Sequence, residues 1–245
     1  MMVSCIWQTA CAQLSETDTM RWQYVVSATG TLSAGNVERF LLITKGELKH
    51  RAEQFGMITS NTYRAGTIRG KKTEDDIISK NYFYLHPDRR IYPYQLTWLE
   101  RNWRRKIDFR YQVGLGASFV PLKQVDQLIK VSMTAIMEET WFRNNNFQQE
   151  PVTDAARIRS WRGRVRLFGR HELFDERARL HYECWVQQSP FKRYDYRYYC
   201  ESTLRIPVIK KFAFNISLNY LYENIALEEV RKHDLFLTFG ASWGI

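Results

Sequence analysis

The chain has 245 residues, 44% of them hydrophobic and 15% aromatic, with a formal net charge of +10 and a pI near 9.5. This composition excludes a disordered chain, and no apolar run approaches the roughly 20 residues of a membrane helix. The basic balance points to an anionic contact, whether nucleic acid, lipid headgroups or an anionic solute.

At the amino terminus, "MMVSCIWQTACAQ" closes on Ala10-Cys11-Ala12 before Gln13, the small-x-small pattern that precedes a signal-peptidase cut. Residues 1–12 are expected to be the remnant of a signal peptide that begins upstream, residues 13–20 a periplasmic segment, and 21–245 one domain. From Trp22 onward the chain alternates with a period of two, the signature of strands whose side chains point to opposite sides of a sheet. About twelve strands are predicted, near 22–32, 37–50, 54–65, 73–86, 91–102, 106–120, 125–141, 154–169, 176–188, 194–206, 211–222 and 231–243. The third and fourth are poorly phased, and no segment reads as a long amphipathic helix.

Both faces of these strands carry information. In "KIDFRYQVGLGASFV", Ile107, Phe109, Tyr111, Val113 and Leu115 share one face, and Asp108, Arg110, Gln112, Gly114 and Gly116 the other. In "RIRSWRGRVRLFG", Trp161, Val165 and Leu167 back onto Arg162, Arg164 and Arg166. "KFAFNISLNYLYEN" puts Phe212, Phe214, Ile216, Leu218, Tyr220 and Tyr222 on one aromatic-ended face. Twelve long strands enclose more volume than apolar side chains fill, and a tilted strand crosses a bilayer in roughly 9–11 residues. The apolar face therefore meets lipid and the charged face turns inward. Compact connections such as "HPDRR" and "IPVIKK" alternate with the longer "RAGTIRGKKTED", "WFRNNNFQQEPVT" and "YENIALEEVRK", as the short periplasmic turns and longer outer loops of such barrels do. The fold class is all-β, a single closed antiparallel up-and-down transmembrane barrel.

On this reading the lumen is lined by Arg110, Arg162, Arg164, Arg166, Arg179, Arg197, Arg205 and Lys130, with Asp108, Glu138, Glu183, Asp195 and Glu201 among them. Columns of arginine confer anion selectivity on pores; the interspersed carboxylates equally suit a salt-bridged filling. Trp22, Tyr24, Tyr194, Tyr196, Tyr220, Tyr222 and Trp243 fall where membrane-interface aromatics belong. Cys5, Cys11, Cys184 and Cys200 have no metal-ligand spacing; Cys184 and Cys200, outward on neighbouring strands, read as apolar thiols rather than a disulfide.

The order of motifs resembles the salt-induced outer-membrane protein (YdiY-like) family. Ser33-Ala34-Gly35-Asn36 is similar to that family's hairpin after the first strand. "NYFYLHPDRRIYPYQLTWLERNWRRKIDFRYQVGLGASF" follows its strand order, and Pro207 with Lys210-Lys211 resembles its turn before the penultimate strand. The resemblance implies a bacterial outer-membrane barrel of unknown function.

No Gly-x-Ser-x-Gly, HExxH or phosphate-cradling loop is present, so no catalytic residue, metal or cofactor is expected. An outer-membrane lipid-modifying enzyme is the weaker alternative. The other alternative, a soluble β domain binding an acidic ligand or nucleic acid, draws on the basic-aromatic interleaving of "FKRYDYRYY". Expected partners are outer-membrane lipid, the barrel-assembly machinery during insertion and a small anionic solute, with no nucleic acid. The chain reads as a structural barrel or narrow channel.

Overall fold

Alternation over this length gives each strand an apolar and a polar side, and joining the last strand to the first pairs the ladder groups that an open sheet leaves at its edges. A computed structural model describes residues 21–34, 38–148, 156–174, 177–209 and 211–244. They form β1 (Trp22–Ser33), β2 (Arg39–Arg51), β3 (Phe55–Ile68), β4 (Lys71–Leu85), β5 (Ile91–Asn102) and β6 (Ile107–Lys123). The second half contributes β7 (Gln127–Phe142), β8 (Arg157–Leu173), β9 (Ala178–Gln188), β10 (Tyr196–Ile209), β11 (Phe212–Glu223) and β12 (His233–Gly244). Each strand pairs antiparallel with its chain neighbours, and β1 pairs with β12 to close the barrel.

Burial is inverted relative to a water-soluble barrel. Leu115, Met133, Val165, Leu235 and Leu237 are exposed on the outside, whereas Arg110, Lys130, Glu138, Arg162 and Arg205 are buried within. Water would reward the opposite arrangement, so the exterior is a lipid-facing surface and the soluble alternative falls. Aromatic side chains gather at both rims. Tyr24 lies 5.5 Å from Trp243 at the end bearing the termini, and Tyr196 stacks on Tyr222 at 5.8 Å at the other.

The connections are asymmetric. At the terminal end they are short turns; the opposite end carries the segments after β7, β9 and β11. Two of these pack together as a cap: Phe147 bridges to Leu227, the Glu228 amide donates to the Asn146 carbonyl at 2.9 Å, and Gln148 donates to the Val230 carbonyl at 2.7 Å. Beneath them lies an apolar cluster of Ile107, Phe142, Ile158, Ile225, Leu227 and Val230.

Several expectations are corrected. "RAGTIRGKKTED" is not a long loop: β3 and β4 run on to a tight turn in which Arg69 and Gly70 adopt φ of 48° and 70°, the left-handed pair of a two-residue hairpin. Asp108 faces outward, not into the lumen. The β6–β7 register shifts between Ile107 and Phe109, so Ile107 points in while Asp108 accepts a 3.1 Å bond from Arg143 outside. Tyr194 precedes β10 and packs against the cap cluster instead of the lipid interface. Cys184 and Cys200, opposite each other on β9 and β10, are joined as a disulfide. The signal-peptide remnant, Gly35-Asn36 and Lys210 lie outside the described residues.

Gly116 is required by close packing. A Cβ there would lie 2.2 Å from the Met133 carbonyl oxygen of β7, and Tyr94 of β5 sits directly opposite in the register. Gly116→Val is expected to destabilise the barrel by about 1–3 kcal/mol, the usual cost of overpacking. Urea titration read by the gel-mobility shift between folded and unfolded barrel checks this; an unchanged midpoint would contradict it.

Candidate functional site

The inward side chains build three layers. Near the loop end, Arg110, Glu138, Arg162, Arg197 and Glu223 come from β6, β7, β8, β10 and β11, all buried. The Arg110 guanidinium donates through both terminal nitrogens to Glu223, at 2.8 and 3.0 Å, and to Glu100 at 3.0 Å. Arg197 grips Glu138 in the same two-pronged way at 2.6 and 2.8 Å, the geometry in which arginine and carboxylate bind best. Arg162 joins Glu138 at 2.6 Å to Asp195 at 2.7 Å. Arg105, in the β5–β6 turn, pairs with Asp234 at 2.6 Å. The acids match the guanidinium groups in number, five of each with Arg104 counted through its 3.1 Å pair with Asp234. This layer is neutral and locked.

In the middle layer Arg164 sits 4.7 Å above the Trp185 ring and 5.5 Å from Trp98. It donates to Gln112 at 2.8 Å. With its amide oxygen turned inward, Gln187 accepts from the Arg164 Nε at 2.7 Å. Arg166 donates to Glu183 at 2.8 Å and lies 4.9 Å over Tyr82.

The layer at the terminal end is aromatic. Tyr82, Tyr84, Tyr92 and Tyr94 pack with Leu96, Leu128 and Phe168, and Lys130 lies 4.4 Å over the Phe168 ring. Arg179 pairs with Glu172 at 3.0 Å, and Arg205 is fully buried nearby.

These layers crowd the part of the lumen walled by β4 to β11. The other part is less filled: along β12, β1, β2 and β3 the inward residues Ser27, Thr29, Lys45, Thr62, Arg64 and Thr238 are only part-buried. There a cavity of about 130 Å³ is lined by Ser27, Thr29, Ser60, Thr62, Ser217 and Thr238, with Lys45 of β2 between Ser27 and Thr62 in the register, and by Lys80, Trp98, Tyr199 and Glu201. A second cavity of about 60 Å³ shares Lys45, Ser60, Lys80 and Glu201 with it. Lys80 stands 4.4 Å over Trp98 and 4.8 Å over Tyr199. Lys45 lies 2.8 Å from Glu47 and 4.0 Å from Glu201, and Tyr199 donates to Glu201 at 2.7 Å.

The structure thus turns Arg110, Arg162, Arg164, Arg166, Arg179, Arg197, Arg205, Lys130, Glu138, Glu183 and Glu201 inward, as their alternation predicts. It does not bring the arginines together as a bare column, because Glu100, Glu138, Asp195, Glu223 and aromatic rings intervene. Sequence reasoning missed Lys45, Arg64 and Lys80. The first lies on a strand whose two faces are mixed, the others on the poorly phased third and fourth segments. Arg64 and Lys80 occupy the inward phase once Tyr63, Ile77 and Phe83 are set outward. Among the described residues no cluster of three or more His, Cys, Asp or Glu side chains is placed to hold a metal ion.

A family model described as "Protein of unknown function, DUF481" matches residues 26–243. No curated protein matches the sequence. Among solved structures, the NanC porin superposes with a TM-score of 0.54 at 10% identity, covering 91% of this chain and 100% of that one. The translocator domain of the autotransporter NalP from Neisseria meningitidis superposes with a TM-score of 0.50 at 10% identity, covering 93% of this chain and 90% of that one. The shared feature is the fold, that of an outer-membrane β-barrel.

Glu138 neutralises guanidinium groups on three different strands, so Glu138→Leu leaves buried cations without their counter-charge. A loss of about 3–5 kcal/mol is expected. Urea unfolding in detergent measures it, and a change below about 1 kcal/mol would mean the layer is not what locks this half of the lumen.

Proposed function

The chain belongs to this family of unknown function, DUF481, and we propose that it is a bacterial outer-membrane channel with a narrow, anion-preferring path. The observation that carries this reading is the cavity in which Lys45 and Lys80 stand among the serine and threonine hydroxyls of β1, β3, β11 and β12. Lysine and arginine on a pore wall favour anions, while serine and threonine hydroxyls replace part of a solute's hydration at little cost. Lys45, Arg64 and Lys80 outnumber the acids that line this path without being locked into the Arg110 layer, of which Glu201 is the nearest. The arginines of β8 play a different part: they fill the locked half and fix the width of what is left.

The order of motifs resembles that of the salt-induced outer-membrane proteins, and we extend that reading to export by a signal peptide and insertion by the barrel-assembly machinery. A small carboxylate or phosphate is the solute class that suits the path. No catalytic role enters this reading. The cap across the loop end favours a second reading, a closed structural barrel.

Conductance of the refolded protein in a planar bilayer under a salt gradient separates the two. An open, anion-selective wild type whose reversal potential moves toward cation preference in Lys45→Glu/Lys80→Glu supports the channel. Silence from a folded barrel supports the closed form. Replacing Arg162, Arg164 and Arg166 with Ser is expected to lower stability more than selectivity. A large selectivity change at intact stability would return the filter to β8.

A further inference from the structure

Among the described residues, the exterior carries a cluster of polar side chains on β3 and β4, bordered by exposed Gln95 of β5. On β3 and β4, at mid-height between the aromatic rims, the outward residues are Thr59, Asn61, Ser79 and Asn81, and Thr97 follows on β5. Cross-strand register sets Thr59 against Asn81 and Asn61 against Ser79, so the four form one contiguous polar square. On other walls the outward positions of long strands are residues such as Val113, Leu115, Met133, Val165 and Leu167. The same four residues are what break the two-residue period of the third and fourth segments.

The square is bonded within itself but not exhausted. Thr59 donates to the Asn81 Oδ1 at 2.6 Å, Asn81 donates to Ser79 at 3.2 Å, and Asn61 donates to Thr59 at 3.4 Å. An Asn side chain offers two donors and a carbonyl acceptor, and a serine hydroxyl both donates and accepts. Among the described residues, the Asn61 carbonyl oxygen, one amide hydrogen of each Asn and the Ser79 hydroxyl hydrogen have no acceptor or donor. They face hydrocarbon, where no lipid chain can supply a partner. Around the square stand Leu48, Met57, Tyr63, Ile77, Phe83 and Leu99, all exposed.

We propose that this face joins two copies of the chain in the membrane. Amide and hydroxyl groups that both donate and accept are self-complementary, so the square can bond to its own image across a twofold axis. Such isologous contacts are the commonest homo-oligomeric interface. In bilayers, Asn, Ser and Thr hydrogen bonds together with close packing hold spans together, since hydrocarbon exerts no hydrophobic drive between them. The apolar rim packs around the bonded centre. Gly46 of β2, opposite Asn61 in the register, has nothing within 4 Å of where its Cβ would be, leaving the margin of the square flat for a close approach. The pairing leaves the lumen and its proposed path untouched, because every residue of the square points away from it.

Native mass spectrometry of the full barrel released from a mild detergent tests the pairing. The wild type is expected at the mass of a dimer and Asn61→Leu/Asn81→Leu at that of a monomer, with both showing the heat-dependent mobility shift of a folded barrel. A monomeric wild type, or a dimer that survives the double substitution, would overturn the proposal. Should the double variant not fold, Asn61→Cys in an otherwise native chain gives the same decision. Oxidation in liposomes is expected to join two copies through residue 61, identified by peptide mapping, and its absence would count against the interface. A mass shift from bound phospholipid alone would overturn it too, identifying lipid headgroups as what satisfies the square.

Discussion

Glu138 is the fixed point of the lumen. One carboxylate bound by Arg197 and Arg162, with Arg110 3.6 Å away, ties β6, β7, β8 and β10 to one another through the barrel's interior. Burying charge costs several kcal/mol per ion, recovered only when each group is paired with good geometry. That condition makes the loop-end layer neutral and rigid. Because the layer occupies the β5 to β11 side, the space left free lies toward the opposite wall. The position of the cavity follows from where the ion pairs are.

Function follows from this division. A barrel of twelve strands lies between small ones filled by side chains and wide ones that enclose an aqueous channel. Here guanidinium, carboxylate and tyrosine groups fill one side, and shorter hydroxyl side chains leave a cavity of about 130 Å³ toward the other. On the proposed reading, the lysines over Trp98 and beside Glu201 would set the sign of the field along that side. The arginines at the loop end are paired with carboxylates, and what they determine is the shape of the lumen.

Much of this was legible in the amino-acid order. Every strand lies within a few residues of its expectation, because alternation over ten or more residues has no competing explanation once helices are excluded. The inward facing of Arg162, Arg164 and Arg166 was readable for the same reason. The partners were not, since Arg110 and Glu223 are 113 positions apart and only closure of the barrel brings them together. The bulge between Ile107 and Phe109 reverses the facing of both Ile107 and Asp108 without leaving a mark in the pattern. The tyrosines at positions 82, 84, 92 and 94 were hidden because the facing ends of β4 and β5 carry large apolar groups on both faces, Phe83 and Leu85 outward beside Tyr82 and Tyr84, and Ile91 outward beside Tyr92. The irregular third and fourth segments turned out to be regular strands with a polar square on the lipid side, so the sequence irregularity was itself the signal.

Substituted-cysteine accessibility tests the divided lumen most directly. Thr62→Cys and Thr238→Cys replace part-buried side chains that line the cavity, whereas Thr134→Cys replaces one that is 4% exposed on the locked side. With a negatively charged methanethiosulfonate reagent and peptide mapping in liposomes, the account predicts rapid modification at 62 and 238 and protection at 134. Equal rates at all three positions, or protection of the hydroxyl wall, would contradict it.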